Sequence, residues 1–402
     1  MLLVEEVFED IVNCLGQYQK ISLPSREFIE TARRKLEKGQ TFEAQDQSTT
    51  FEPAEARRLN MAYNVSADPS HQSKFNEALK RLICRDVDVG GSRTCRYQRI
   101  PFEILAQVSQ ILTEYERKDW AESPRLYTIL FLIGEEQQMR KFVEYGISDI
   151  AMPLRDSRWV PLKKNQGEAF IETQRYLITK YEGLDATDKV VHRHGHFDDG
   201  DEYFEKKKDL GQGAFGYVDS VISVSNSKVY ARKRILKDIR EGELTRILQE
   251  FSKELEVFKA LSHRHLVKFH YSYTDRDYVT TIMTPVARWN LATYLERPQS
   301  PHFPMEDFHE LRRFFGCLAS GLQYLHHKQI RHKDIKPANL LVTEAGTILI
   351  ADFGSALDWK ESGRSTTIGH DQQGLTEDYC SPESLIPGTV RFLHAKSFLY
   401  RD

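Results

Sequence analysis

The sequence predicts an α+β domain that is preceded by a mostly helical N-terminal region. Helical periodicity dominates before residue 190. After residue 209 the apolar residues alternate over strand-sized segments, and helical spacing returns from Glu243 onward. Strands that come first and helices that follow are typical of α+β domains. We therefore expect three parts, with boundaries at 1–190, 191–202 and 203–402.

Composition and charge limit the classes of protein to consider. The chain has 402 residues, 40% hydrophobic and 29% charged, as in an ordinary globular protein, which excludes collagen-like, disordered and membrane-spanning classes. The net charge of −3 lacks the surplus of cations that nucleic acids and acidic lipid surfaces attract. We therefore expect neither nucleic acid nor a membrane among the partners.

Cysteine usage and the N-terminal residues bear on the compartment. The five cysteines are odd in number, scattered and without a Cys-x-x-Cys pair, which favours free thiols in a reducing environment. The first residues, MLLVEEVFED, carry acidic side chains where a secretory signal has cations. These features predict a cytoplasmic or nuclear protein.

Apolar spacing predicts several helices in the N-terminal region. The clearest begins after Pro101, and its apolar residues are Leu105, Val108, Ile111, Leu112 and Tyr115. Two shorter patterns of this kind consist of Phe75, Leu79 and Leu82, and of Phe170, Ile171, Tyr176 and Leu177. Residues 126–133 fit a buried helix or a buried strand, and periodicity alone does not separate the two. Residues 40–72 are polar and predict a loose connection.

Residues 191–202 are dense in charge and predict a linker. His192, His194 and His196 alternate within it, and in an extended strand this spacing would place three imidazoles on one face as zinc or copper ligands. Metal sites usually take their ligands from separate rigid elements, so we favour a solvated polar linker.

A glycine-rich segment follows the linker. Residues 210–218 read LGQGAFGYV and contain Gly211, Gly213 and Gly216. Without side chains, a strand-turn-strand at these glycines brings backbone N–H groups close to a triphosphate, and Val218 would cover one face of a purine. The same spacing also occurs in dinucleotide sites, where a helix follows the glycines at once. Here residues 217–224 alternate like a strand, which disfavours hydride chemistry.

A lysine and a glutamate follow at positions suited to an ion pair. Lys233 lies in a strand-like run, VYARKRI, and the next helix carries Glu254 and Phe258. These two residues share a face because they lie four positions apart. We expect Glu254 to hold Lys233, with Phe258 packed beneath it. The alternative is a solvated surface lysine, which is what most lysines are.

The strongest signal is the segment IRHKDIKPANLL at residues 330–341, followed at 352 by Asp-Phe-Gly. It brings two carboxylates, an amide and an ammonium close together in sequence: Asp334, Lys336, Asn339 and Asp352. Phosphoryl transfer needs a carboxylate to accept the hydroxyl proton, oxygens to hold magnesium and a cation near the moving phosphoryl group. Chance occurrence of both elements in this order, after a glycine loop and a lysine, is improbable.

With these motifs, residues 203–383 resemble a eukaryotic protein kinase domain. The resemblance implies a two-lobed fold, with a five-stranded small lobe that carries one helix and a helical large lobe. It also implies ATP and Mg²⁺ as cofactors. In that arrangement the three glycines cover the phosphates, and Lys233 grips the α and β phosphates with Glu254 as its partner.

The resemblance also assigns roles in the large lobe. Asp334 would be the catalytic base, and Asn339 and Asp352 the magnesium ligands. His332 and Phe353 would belong to a packed column under the active site. The implied adenine pocket comprises Leu210, Val218, Ala231, Met283, Thr284, Val286 and Leu341. Within it, Met283 would be the gatekeeper, and residues 284–286 the hinge.

Two residues indicate the substrate class. Lys336 in DIKP and Thr376 in LTEDYCSPE resemble serine/threonine kinases, in which both contact the catalytic aspartate. The expected activity is therefore phosphorylation of serine or threonine hydroxyls on protein substrates. The activation segment would span residues 352–383, with Lys333 as the cation for a phosphate. Its candidate phosphosites are Ser362, Ser365, Thr366 and Thr367.

The resemblance ends after Glu383. The remaining residues, SLIPGTVRFLHAKSFLYRD, lack the Asp, aromatic and Ser-x-Gly pattern that begins the central helix of the family's large lobe. We therefore expect a truncated kinase domain with an incomplete large lobe. Two alternatives follow, a pseudokinase-like ATP-binding scaffold and an interaction protein in which residues 1–190 bind a protein partner. A helical region before a kinase domain also resembles kinase-domain proteins of filamentous fungi.

Overall fold

The structure is a computed structural model that describes residues 69–87, 93–179, 194–213, 216–237, 243–296 and 305–358. Residues 40–68 of the predicted loose connection lie outside these ranges, as does His192. Thr376, the four candidate phosphosites and the segment after Glu383 lie outside them as well.

The described residues 69–179 are mostly helical, as predicted. The helices are α1 (Pro69–Ile83), α2 (Phe102–Glu114), α3 (Lys118–Ala121), α4 (Pro124–Leu132), α5 (Met139–Glu144) and α6 (Lys164–Thr173). A short antiparallel pair, β1 (Cys84–Val87) and β2 (Arg93–Cys95), lies between α1 and α2. The predicted apolar patterns form α1, α2 and α6, while Tyr176 and Leu177 fall in a 3₁₀ turn after α6 (Gln174–Leu177).

Residues 126–132 belong to a helix, which decides between the two alternatives that periodicity left open. Every residue of α4 from Arg125 to Leu132 is buried, so no polar face marks a helical period. Pro124 occupies the first turn of α4, where an N–H group has no helical partner. The Asp149 carboxylate caps this end by accepting hydrogen bonds from the N–H groups of Arg125 (3.0 Å) and Leu126 (2.8 Å).

A six-stranded sheet forms the next layer of the fold. Its strands are β3 (His194–His196), β4 (Phe204–Gly213), β5 (Gly216–Ser223), β6 (Val229–Leu236), β7 (Lys268–Thr274) and β8 (Tyr278–Thr284). Their order is β3-β7-β8-β6-β5-β4; β3 runs parallel to β7, and the other pairs are antiparallel. Helix α7 (Glu243–Lys259) lies between β6 and β7 in sequence. The five predicted strands and their helix are confirmed, and β3 is an additional strand.

The prediction of a solvated linker is wrong at His194 and His196. The His194 ring nitrogens lie 2.9 and 2.8 Å from the hydroxyls of Ser272 and Thr274, and His196 Nδ1 lies 2.9 Å from the Met152 carbonyl oxygen. Burial lowers the pKa of His194 to about 3 and that of His196 well below its usual value, so both imidazoles are neutral. Neighbouring carbonyl and hydroxyl groups replace water around these two rings. The many charged residues of the segment gave no sign of these partners, because the partners are distant in sequence.

The chain after β3 covers the outer face of the sheet. Its apolar side chains join a second core whose buried members are Phe197, Phe204, Val221, Tyr230, Tyr273 and Ile282. Beside this core, the Arg232 guanidinium is 1% exposed and donates to both carboxylate oxygens of Asp219, at 2.9 and 2.8 Å. Asp201 in the predicted linker is a further acceptor for Arg232. Asp201 thus helps Asp219 to neutralise a buried cation, so part of the charge in this segment has a partner in the sheet.

The remaining described elements form part of the large lobe. They are β9 (Trp289–Asn290), α8 (Leu291–Leu295), α9 (Met305–His327), β10 (Ile330–Arg331), β11 (Leu340–Val342), β12 (Ile348–Ile350) and β13 (Leu357–Asp358). β9, β11 and β12 make a three-stranded sheet, and β10 pairs with β13. Neither α9 nor any other helix in the described ranges has both the length and the apolar character needed to cross a membrane.

One apolar core runs through the helical region and both lobes. Its buried members include Phe131 and Phe142 of the helical region, Leu248 and Phe251 of α7, and Ile350 of β12. Continuous burial of this kind is the main source of favourable folding energy. The described helical region is therefore packed directly on the domain that follows it.

Loss of the buried Arg232 cation is expected to destabilise the fold far more than loss of an exposed one. Arg232→Met leaves the Asp219 carboxylate buried with only Arg234 (2.9 Å) as a cationic partner, and we expect unfolding free energy to fall by about 3 kcal/mol. The control is Arg276→Met, which breaks a pair with Asp198 in which both side chains are more than half exposed. Its expected cost is below about 1 kcal/mol. Equal urea midpoints for the two variants would contradict the assignment.

Candidate active site

The centre of the site is a buried lysine between two carboxylates. Strand β6 carries Lys233 and α7 carries Glu254, and the Lys233 Nζ atom lies 2.8 Å from Glu254 Oε1. The same Nζ lies 2.8 Å from Asp352 Oδ1. The predicted Lys233–Glu254 ion pair is present, and the alternative of a solvated lysine is wrong, because the Lys233 side chain is only 11% exposed.

The contacts in this cluster favour the charged forms of Lys233 and Asp352. Burial alone disfavours the ammonium, but Glu254 and Asp352 reverse that effect and raise the pKa of Lys233 above its usual value. Burial also disfavours the Asp352 carboxylate, and Lys233 outweighs it, so the pKa of Asp352 is lowered. The site therefore contains a fixed positive charge and a carboxylate that remains ionised at neutral pH.

A second cluster is built around Asp334. The Lys336 Nζ atom lies 2.9 Å from Asp334 Oδ2, and the Asn339 side-chain amide donates to the same oxygen at 2.8 Å. Asn339 also donates to the Asp334 backbone carbonyl at 2.8 Å. A 3₁₀ turn (Pro337–Asn339) brings these residues together. Two donors on one oxygen fix the orientation of the Asp334 carboxylate.

Backbone contacts join the two clusters. The Ala351 N–H group donates to the Asn339 carbonyl at 3.0 Å, which sets the position of the next residue, Asp352. His332 Nε2 lies 2.9 Å from the Ala351 carbonyl oxygen, so this nitrogen carries the proton. His332 is neutral because burial lowers its pKa. Ala351 was missed in the sequence, because its contribution comes from main-chain atoms that leave no side-chain signal.

Aromatic packing supports the site from below. The Phe353 ring centroid lies 5.2 Å from that of His332 and 5.3 Å from that of Phe258. Phe258 also contacts Phe269 edge to face, at 5.6 Å between centroids. The column that the resemblance implied is therefore present, and it includes the residue predicted to lie under Glu254.

The glycine-rich segment forms a tight hairpin between β4 and β5. Gly213 pairs with Gly216, and Gly211 pairs with Val218; Ala214 and Phe215 lie outside the described residues. Gly216 has φ 138°, and a Cβ atom there would lie 2.1 Å from the Arg234 carbonyl oxygen. Only glycine allows β5 to pass this close to β6.

Most residues of the predicted adenine pocket lie on neighbouring strands of the six-stranded sheet. Val218 is opposite Lys233 in the β5–β6 ladder, and Ala231 is opposite Met283 in the β6–β8 ladder. Thr284 ends β8, and Val286 is half-buried in the segment that follows. Leu341 lies on β11, and Leu210 is an exposed residue of β4.

Comparison with known proteins supports the assignment of the domain. Residues 204–394 match the family model described as protein kinase domain. Serine/threonine-protein kinase PLK2 of Mus musculus is 31% identical over 180 residues, which are 44% of this chain and 24% of that protein. NUAK family SNF1-like kinase 2 of Homo sapiens is 30% identical over 194 residues, 48% of this chain and 28% of that protein.

A third relative bears a different description. Inactive serine/threonine-protein kinase PLK5 of Mus musculus is 31% identical over 161 residues, 40% of this chain and 26% of that protein. The chain thus spans only about a quarter of the length of these curated relatives.

The destabilisation caused by losing Lys233 is expected to depend on pH. In Lys233→Met two largely buried carboxylates lose their cation, and we expect about 3 kcal/mol of lost stability at pH 7. Because the folded-state pKa of Asp352 is lowered, its contribution is full above the ordinary aspartate pKa and disappears as pH falls through the folded value. The difference in unfolding free energy between wild type and variant should therefore shrink in acid.

Urea unfolding at pH 7 and in acid measures this difference. Lys74→Met on the exposed face of α1 serves as the control and should show a small, pH-independent effect. A cost for Lys233→Met that stays constant into acid would contradict the ion-pair account.

Proposed function

From the premise that residues 204–394 are a protein kinase domain, we propose that this chain transfers the γ-phosphate of ATP to serine or threonine hydroxyls of protein substrates. The observation that carries the proposal is the convergence of Lys233, Glu254 and Asp352 with the oriented carboxylate of Asp334. This inventory is the one that phosphoryl transfer requires.

Asp334 is the proposed catalytic base. Asn339 and Lys336 both contact its Oδ2 atom and so fix the orientation of the carboxylate that would accept the proton of an incoming hydroxyl. Lys336 then lies beside the reacting groups, where its positive charge stabilises the charge that develops on the moving phosphoryl group. Its contact with Asp334 also supports a serine/threonine substrate, the class that DIKP indicated.

The residues around Lys233 fit a magnesium-bound nucleotide. Because the amide nitrogen of Asn339 donates to Asp334, its remaining polar atom is the carbonyl oxygen, a hard ligand of the kind that Mg²⁺ prefers. Asp352 adds an ionised carboxylate oxygen, and Lys233 offers donors to the phosphates. When bound, Mg²⁺ would neutralise the charge of the β and γ phosphates.

The strands above this cluster provide the proposed adenine and phosphate contacts. Val218, Ala231 and Leu341 would sandwich the base, and Met283, Thr284 and Val286 would line its edge. Leu210 would cover the opening, and the backbone N–H groups at Gly211, Gly213 and Gly216 would face the phosphates. The placement of Leu210, Val218, Ala231 and Met283 on the adjacent strands β4, β5, β6 and β8 supports this role.

A nucleotide-binding scaffold without turnover is the second candidate. One observation favours it: Asp352 is bound to Lys233, so the proposed metal ligand already has a partner. One of the relatives is also described as inactive. The two candidates share nucleotide binding and differ only in phosphate transfer.

Phosphate transfer is expected to depend on Asp334. Asp334→Asn removes the proton acceptor, and we expect the initial rate to fall by a factor of about 10² to 10⁴, the usual contribution of a general base. The measurement is transfer of labelled γ-phosphate to a generic serine/threonine protein substrate by the full chain. Asp119→Asn, on an exposed helix, is the matched control and should retain wild-type activity. Identical background in all three proteins would overturn the kinase proposal.

Nucleotide binding is expected to stabilise the chain and to require Asp352. A ligand that binds only the folded state adds about 2.7 kcal/mol at 100 times its dissociation constant, so Mg·ATP should raise the melting temperature of the wild type. Asp352→Asn should lose most of that shift, and Asp119→Asn should keep it. A shift without phosphate transfer would identify the scaffold, and no shift at millimolar Mg·ATP would contradict both candidates.

A further inference from the structure

A short segment of the helical region, residues 145–155, lies against α7 and the β7–β8 turn. We propose that this segment is a positioning element for the phosphotransfer site, holding α7 where Glu254 can bind Lys233. The inference rests on the proposed function, since it concerns the control of the same site. In this proposal the described part of the helical region acts on the kinase domain of the same chain.

The turn at Tyr145 and Gly146 contacts Thr245 at the start of α7. The Thr245 hydroxyl donates a 2.6 Å hydrogen bond to the Tyr145 carbonyl. Gly146 has φ 66°, and a Cβ atom there would lie only 2.2 Å from Thr245 Cγ2. The turn and the helix are therefore in contact with no space for an additional atom, and a methyl group at Gly146 must displace the turn, the helix or the Thr245 side chain.

A buried lysine fastens the same segment to the sheet. The Lys237 side chain follows β6, and its ammonium donates to the carbonyls of Pro153 (2.6 Å), Ala151 (3.3 Å) and Asp275. Lys237 is 3% exposed, so these carbonyls replace its hydration shell. The Thr274 hydroxyl adds a 2.7 Å hydrogen bond to the Ile150 carbonyl. The segment is thus fixed to both α7 and β7.

Helix α7 transmits this contact to the active site. Thr245 and Glu254 are about 14 Å apart along the axis at about 1.5 Å per residue, a span over which an α-helix is stiff. Between them, Leu248 and Phe251 are buried in the core shared with the helical region, and the His194 ring meets the Phe251 ring edge-on at 6.0 Å between centroids. A displacement at Thr245 would therefore carry Glu254 with it and lengthen its 2.8 Å contact with Lys233.

The test adds one methyl group at Gly146 in the full chain. Gly146→Ala forces the turn away from Thr245 Cγ2. The Gly146→Ala/Thr245→Ser double variant removes Cγ2 but retains the hydroxyl, which relieves the shortest contact. Gly346→Ala is the matched control, because Gly346 has a similar φ (68°) and its added Cβ would meet only the ends of the Glu310 and Arg313 side chains.

Hydrogen exchange of residues 243–259 and steady-state kinetics with Mg·ATP are the two measurements. For Gly146→Ala we expect faster exchange in α7, a higher KM for ATP and a kcat/KM about tenfold lower, because fewer molecules hold the competent arrangement. The double variant should return toward wild type, and Gly346→Ala should match wild type in exchange and in KM. General destabilisation would instead reduce the active fraction and leave KM unchanged.

Several outcomes would overturn the inference: unchanged exchange in α7, increased activity in Gly146→Ala, the same KM change in Gly346→Ala, or failure of Thr245→Ser to rescue.

If the wild type transfers no phosphate, the proposed function fails, but this inference can still be tested. Exchange in α7 and the dissociation constant for Mg·ATP then serve as readouts, and Gly146→Ala must weaken nucleotide binding about tenfold for the inference to stand.

Discussion

The position of the Lys233 ammonium between the carboxylates of Glu254 and Asp352 is the interaction on which the rest of the site depends. It joins three separate elements, strand β6, helix α7 and the chain after β12, at contacts of 2.8 Å. Each partner alone would be costly to bury, and together they compensate the loss of water. Because both carboxylates share this cation, it holds the sheet, the helix and the Asp-Phe-Gly segment in one relative arrangement.

The surroundings of this cluster preserve that arrangement. Below it, the Phe353 ring, which follows Asp352 in sequence, packs at a tilt against the rings of Phe258 and His332. Beside it, the Ala351–Asn339 hydrogen bond couples the Asp334 cluster to the same stretch of chain. The catalytic groups proposed here are therefore positioned by backbone and aromatic contacts that do not themselves touch a substrate.

Local patterns revealed most of the fold and the site. Alternation predicted strands after residue 209, and the resemblance to kinases implied that the small lobe has five. Apolar spacing predicted α1, α2 and α6, and motif chemistry indicated Lys233, Glu254, Asp334 and Asp352. These features share a cause, since each depends on spacing within a short stretch of sequence. The prediction was wrong at His194 and His196 because their partners, Ser272, Thr274 and Met152, are distant in sequence, and a charged stretch looks solvated until those partners are known.

The sequence by itself determined which groups are available for the proposed phosphoryl transfer and in what order they lie along the chain. Only the tertiary structure decided where the helical region packs against the elements that carry these groups. The approach of Gly146 to Thr245 and the carbonyls around Lys237 involve residues of the helical region with no motif of their own. Contacts of this kind depend on shape and on main-chain atoms, which leave no periodic trace, so they appear only when distant segments are brought together in space.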